Sequence, residues 1–217
     1  MPLFIRPTSI PSIVAAEEAI SSGKSPKAAA GYRTADDHLR ELRADYGRLS
    51  RWLFGILGTA GALGAGLVAG VSIDLLAEGQ VVLGSVLILV ASGVAAASAW
   101  LLIALHRTGR RLVHALAYWA GYPFRTGQRK PAGSRDFFVR LGPDSDLYAR
   151  MLTSAIAALW SAFAVSMIRF GIAEYPTPAV TVIASAWLVT LVCVAIGQYG
   201  GVLRVQRGYR AGSAASE

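Results

Sequence analysis

The chain has 217 residues, 54% of them apolar and only 16% charged, with a mean hydropathy of +0.47; soluble domains carry charge on roughly a quarter of their residues, so an ordinary water-soluble globule is excluded. A net charge of +8 and a pI near 10.1 would point to nucleic acid in a soluble protein. A membrane protein that retains Lys and Arg on one side of the bilayer acquires the same excess, so nucleic acid is not an expected partner.

The opening segment, MPLFIRPTSIPSIVAA, has no continuous apolar core because Arg6, Pro7 and Pro11 interrupt it, and it reads poorly as a cleaved signal peptide. Residues 1–33 are expected to form a loosely ordered arm, with a Ser, Gly, Lys and Pro linker at 21–27. Ile10, Ile13, Val14 and Ile20 also allow a short amphipathic helix that lies on the membrane surface or docks on a neighbouring subunit. Thr34 with Asp37 three residues later resembles a capping box, Asp standing in for the usual Glu or Gln, and opens a helix near residue 35. Leu39, Leu42, Tyr46, Leu49 and Leu53 then recur at helical spacing among Arg40, Glu41, Arg43, Asp45 and Arg48. This amphipathic segment, 34–51, is expected to run straight into the first apolar stretch.

Crossing the hydrocarbon core takes about 20 apolar residues in a helix. Four stretches reach that length: Trp52–Ile73, about Gln80–Leu105, about Met151–Ala173 and about Pro178–Leu203. Backbone groups in lipid must be satisfied within the segment, and the long unalternating runs exclude a barrel. The predicted fold class is therefore all-α, a polytopic integral membrane protein with four transmembrane helices and an N-terminal cytoplasmic amphipathic helix. Hairpins at 52–105 and 151–203 flank a basic loop at 106–150, and a tail follows at 204–217. Twenty of the twenty-one Lys and Arg residues fall in 1–51, 106–150 and 203–217, whereas the two short connections carry only Asp74, Glu78 and Glu174. By the positive-inside rule, both termini and the long loop are cytoplasmic. The scarcity of Lys beside abundant Arg, Ala and Gly suggests a bacterial source and hence the bacterial cytoplasmic membrane.

The long loop begins as a continuation of the second helix, with Leu105, Leu112, Leu116 and Trp119 on one face. Tyr118, Trp119, Tyr122 and Phe124 are of the type placed at headgroup level. Arg107, Arg110, Arg111, Arg125, Arg129 and Lys130 are expected to rest against anionic lipids or a partner. Residues 126–134 hold turn formers, and Asp144 or Ser145 is the expected cap of the third span.

Within the spans, Gly58, Ala62, Gly66 and Gly70 follow at four-residue intervals and invite close approach of another backbone. Ala91, Ala95 and Ala99 on the second span offer a matching stripe, so the contact is expected within the chain, the alternative being an interface between subunits. Arg169 is the one cation inside a span. It lies near the external end of its helix, where it can snorkel to the interface or pair with Asp74, Glu78 or Glu174. Trp160 and Trp187 fall at similar depth and are expected to take part in core packing.

Catalysis needs a nucleophile with its base, paired carboxylates or a metal cluster. The lone Cys193 excludes an intrachain disulfide and a thiolate cluster, and His38, His106 and His114 lack metal-ligand spacing, so no enzyme activity, metal or cofactor is expected. Coupled transport places Asp, Glu or His deep in the bundle, and these spans have none. The expected role is a non-catalytic multi-pass membrane protein, a self-associating or complex-forming subunit; the alternative is an oligomeric ion channel or pore-forming membrane effector.

Overall fold

The computed structural model describes residues 4–23, 34–126, 145–174 and 177–214, with side chains described throughout except at 124, 145–147, 172 and 205–214. Among the described residues the chain is helical, with no strand. The elements are α1 (Ile10–Ser22), α2 (Ala35–Tyr46), α3 (Leu49–Ala77), α4 (Val81–Arg125), α5 (Ser145–Glu174) and α6 (Pro178–Ala214). Four of these, α3 to α6, contain stretches long and apolar enough to cross a membrane, and the chain is a multi-pass membrane protein. Arg129 and Lys130, the linker beyond Gly23, the loop from 127 onward and the side chain of a cap at Asp144 or Ser145 lie outside the described residues.

The helix boundaries follow from local chemistry. Pro7 opens a 3-10 turn, Pro7–Ser9, that leads into α1, and α1 ends at Gly23, whose φ of 62° places it in the left-handed region that glycine tolerates best. At α2, the Asp37 backbone N–H donates to Thr34 Oγ1 at 3.3 Å, and the Thr34 backbone N–H donates to Asp37 Oδ2 at 3.1 Å, closing the predicted capping box. These bonds hold the Asp37 carboxyl below the usual carboxylate range. Gly79, with φ 84°, makes the tight turn between α3 and α4.

Two sequence expectations are corrected at the N-terminal end. In the described part of the arm, Ile10–Ser22 is a formed helix, α1, as the alternative reading from Ile10, Ile13, Val14 and Ile20 allowed, and its Ile13 and Ala16 are buried. The expectation of a loosely ordered arm failed because the segment alone exposes its apolar side chains, and only the surface supplied by α2 and α4 buries them. The run of helix from 34 into the first span is also interrupted. Helix α2 stops at Tyr46, the Gly47 backbone N–H returns to the Arg43 carbonyl at 2.8 Å, and α3 begins at Leu49.

The chain divides into two units, one of Trp52–Ala104 with Leu152–Gln198, and the other of Met1–Arg51, Leu105–Met151 and Tyr199–Glu217. In the first, apolar unit, α4 touches its neighbours through a narrow seam. Gly84, Ala91 and Ser98, each seven residues apart, are buried, while most residues around them are exposed. A Cβ at Gly84 would meet Leu76, one at Gly58 would meet Leu102 at 3.0 Å, and one at Gly61 would meet Ser98. Gly66 and Gly70 face elsewhere, against Ala186 at 2.9 Å and against Ile183 of α6. The small stripe of α3 thus splits between two helices, and the expected register against Ala91, Ala95 and Ala99 is corrected: Ala91 is buried, but Ala95 and Ala99 are exposed, and Ala62 is half-buried. A four-residue stripe drifts around a straight helix of 3.6 residues per turn, so its two ends face different neighbours.

The tryptophan expectations divide in the same unit. Trp187 packs beside Gly66 and donates its indole N–H to the Leu63 carbonyl at 3.0 Å, whereas Trp160 is half exposed and meets Phe163 edge to face. Ser154 donates to the Ala195 carbonyl at 3.0 Å and joins α5 to α6.

These contacts predict opposite effects for two glycines of one helix. A side chain at Gly70 meets Ile183 and, at 3.1 Å, the backbone oxygen of Ala179, whereas nothing lies within 4 Å of a Cβ at Gly64. Gly70→Leu should lower unfolding free energy by about 1–3 kcal/mol through overpacking. Gly64→Ala should raise it by about 0.5–1 kcal/mol through helix propensity. Thermal unfolding of the two variants in the same detergent checks the sign of each.

Candidate functional site

The second, polar unit has a core of its own, built from Ile5, Ile13 and Ala16 at the N-terminal end, Leu39, Leu42 and Tyr46 of α2, Leu112, Val113, Leu116 and Trp119 of α4, and Val202 of α6. Each helix contributes one apolar face. In α4 those residues follow a period of three and four, while Arg107, Arg110, Arg111 and His114 occupy the exposed side.

Two buried polar clusters are set into this core. The first surrounds the end of α2. Asp45 is fully buried, and its Oδ2 accepts the Arg6 backbone N–H at 2.9 Å. Arg51, only 8% exposed, donates from Nη1 to the Phe4 carbonyl at 2.8 Å and from Nη2 to Thr108 Oγ1 at 3.3 Å and to the Leu105 carbonyl at 3.4 Å. One guanidinium thereby ties the N-terminal segment to α4. Burial lowers its proton affinity, nearby Arg150 lowers it further, and Asp45 and Tyr46 oppose both. Arg150 of α5 lies 3.7 Å above the centre of the Tyr46 ring and donates to the Tyr46 carbonyl at 3.0 Å. A cation at that carbonyl is favoured because the C-terminal end of α2 carries the negative pole of the helix dipole.

The second cluster joins α1 to α2 and α4. Ser12 Oγ lies 2.9 Å from His38 Nδ1 and donates to Glu41 Oε2 at 3.3 Å. With that single hydroxyl proton given to Glu41, the His38 Nδ1–H is the donor to Ser12. His38 stacks on Trp119 with ring centroids 4.2 Å apart, and the Trp119 indole N–H donates to the Ser12 carbonyl at 3.0 Å. Ser12 is fully buried and His38 is 3% exposed, so the hydroxyl and imidazole are sealed from solvent, with the half-buried Glu41 carboxylate at the edge of the set, and together they pin α1 in place. Trp119 is therefore a core residue. Its expected place in an aromatic group at headgroup level is corrected, because its N–H finds a partner inside the protein.

The predicted basic residues do not form a uniform surface. Arg111 makes a two-pronged pair with Glu17 of α1, Nε to Oε1 at 2.9 Å and Nη2 to Oε2 at 2.8 Å, which holds the Glu17 carboxyl below its ordinary range. Both side chains are about half exposed, 51% and 44%, so the pair contributes about 0.2–1 kcal/mol. Arg125 lies 4.4 Å from the centre of the Tyr118 ring and donates to the Tyr118 carbonyl at 2.7 Å. Arg107 and Arg110 are exposed. In the apolar unit Arg169, Glu78 and Glu174 are exposed and Asp74 is half-buried. Among the described residues, Arg169 forms no salt bridge with any of these three acids, so of its two expected arrangements the ion pair is not formed. Also among the described residues, no three His, Cys, Asp or Glu side chains converge as metal ligands.

The pattern reading missed Arg51, Arg150, Asp45 and Ser12 as determinants of this unit. A sequence signal for Arg51 existed, since it is the last charge before an uncharged apolar run, but that position is equally typical of a solvated anchor. Comparison of the chain with protein-family models, with curated proteins and with solved structures finds no match.

Proposed function

We propose that this protein is a non-catalytic subunit of a bacterial cytoplasmic membrane that associates with further copies of itself, its polar unit lying on the cytoplasmic side. The sidedness is supported by the distribution of Lys and Arg, which the positive-inside rule places in the cytoplasm.

Self-association rests on the outer face of α4. Only 11% of the apolar window of this helix is buried inside the chain, the smallest share among the four spans. Gly93 is nine residues past Gly84, two and a half turns at 3.6 residues per turn, and so points away from the seam. Gly93, Ala96 and Ala97 form a notch in the exposed face, with Val86, Leu89 and Trp100 beside it, and nothing lies within 4 Å of a Cβ at Gly93. Lipid tails pack against large apolar side chains as readily as against small ones. A notch lets a second helix backbone approach closely and gain dispersion contacts that lipid does not supply.

The test is a cysteine at the notch. With Cys193→Ser as background, Gly93→Cys should give a disulfide-linked dimer on mild oxidation in native membranes, whereas Leu159→Cys, which is 72% exposed on α5, should not. Gly93→Leu should weaken the association about tenfold, or ~1.4 kcal/mol. Monomers at every protein-to-lipid ratio would sink the proposal.

A further inference from the structure

The basic side of α4 carries a more specific arrangement than a scatter of solvated charges. His106, Arg110 and His114 stand at four-residue intervals along one exposed stripe, with Arg107 beside them. Val202 of α6, two residues before Arg204, is buried in one cluster with Leu112 and Leu116 of α4, which brings Arg204 to this part of the helix, and the charges of Arg110 and Arg204 both bear on His106 and on His114. Among the described residues, the charged groups facing these imidazoles are Arg110 on their own helix, Arg204 from α6 and, for His114 alone, Glu17 from α1. Glu17 is already bound by Arg111 through both of its oxygens. Among the described residues the arrangement is thus two guanidiniums and two imidazoles without a carboxylate of their own.

The position along the helix says which anion it suits. The apolar stretch of α4 ends at Leu105, and that of α6 at Leu203. At about 1.5 Å per residue, Arg107 and Arg110 follow the last apolar residue by roughly 3 and 7.5 Å, within the headgroup layer of a bilayer, and His114 follows it by roughly 13.5 Å, its Cα–Cβ bond tilted toward the helix N-terminus and so back toward that layer. Arg204 follows Leu203 directly. Two helices therefore deliver cations to the depth of lipid phosphates.

We infer that His106, Arg110, His114 and Arg204 form a binding site for the phosphodiester headgroup of an anionic lipid, the two arginines neutralising the phosphate and the imidazoles donating hydrogen bonds to it. The inference rests on the membrane reading but not on self-association. Burial and the two arginines lower the proton affinity of both histidines below the ordinary value near 6.5. A bound phosphate opposes both arginines and raises it. Binding and protonation therefore reinforce each other: affinity rises as pH falls through the histidine pKa of the bound state and levels off below that of the free state.

Native mass spectrometry of the full chain in neutral detergent, titrated with phosphatidylglycerol or phosphatidylcholine, reads bound lipid and subunit number as separate mass increments. A failure here is thus distinguishable from a failure of the oligomer proposal. Phosphatidylglycerol should be preferred, and Arg110→Gln/Arg204→Gln should weaken it roughly 30-fold, about fivefold for each surface charge. Arg40→Gln/Arg48→Gln, which removes equal charge from exposed positions of the same unit, should change it by less than about twofold. His106→Gln/His114→Gln should abolish the gain in affinity between pH 7.5 and 5.5, a range in which a phosphodiester does not titrate. Equal binding of the two lipids, an equal loss in the control variant, or a pH response that survives removal of the histidines would overturn the site. Displacement of the lipid by millimolar inorganic phosphate or by polyglutamate would reassign it to a soluble anion or an acidic protein and overturn the lipid assignment.

Discussion

Trp119→Ala should destabilise the polar unit by about 3–5 kcal/mol, the range for truncating a buried aromatic side chain. Three losses combine. The indole is 3% exposed, so its removal leaves a cavity bounded by α1, α2 and α4. Its N–H no longer reaches the Ser12 carbonyl, and His38, stacked on it at 4.2 Å, loses its platform. Tyr118 and Tyr122, with ring centroids 5.3 and 5.6 Å from that of Trp119, lose their packing partner. Hydrogen exchange of the full chain in detergent should show faster exchange across Ile10–Ser22, while amides of the apolar unit keep their protection. Trp119→Phe separates the terms, since it retains most of the ring volume and removes the N–H; it should cost about 1–2 kcal/mol. Undisturbed protection of α1 in Trp119→Ala would show that other contacts hold that helix.

Arg51→Met is the second large effect, about 3–5 kcal/mol, because removing one member of a buried charged cluster strands the others. The Phe4 and Leu105 carbonyls lose their guanidinium donor, and fully buried Asp45 loses a nearby positive charge with which it makes no direct ion pair. The methionine fills most of the vacated space, so the loss reports polar terms rather than a cavity. Asp45→Asn in the same chain removes the stranded charge while keeping an oxygen for the Arg6 N–H, and should restore about 1–2 kcal/mol. The double-mutant cycle, measured by denaturant unfolding, would refute this account if the two losses were simply additive.

Much of the secondary structure was legible in the sequence because its causes are local. The capping box at Thr34 and Asp37 needs four consecutive residues, and the apolar runs need only length. The continuation of α4 beyond Leu105 was also legible, since Leu112, Leu116 and Trp119 keep helical spacing. The candidate sites were less so. Arg111 and Arg125 resemble Arg110 in composition and neighbourhood, yet one is bound to Glu17, ninety-four residues away in the chain, and another lies on Tyr118. A one-dimensional pattern carries no record of such partners.

The amino-acid sequence by itself determined that the protein is helical, that four of its stretches are long and apolar enough to cross a bilayer, and where its cations are concentrated. Those properties depend on hydropathy and on backbone hydrogen bonds closed within a segment. Only the tertiary structure decided that α1 folds onto α2 and α4, that Gly66 and Gly70 lie against α6, that Ala95 and Ala99 stay exposed, and that Trp119 belongs to a core. The reason is that burial is a property of pairs of surfaces. An apolar face specifies that it must be covered, but what covers it is settled by shape and by polar partners brought together from distant parts of the chain.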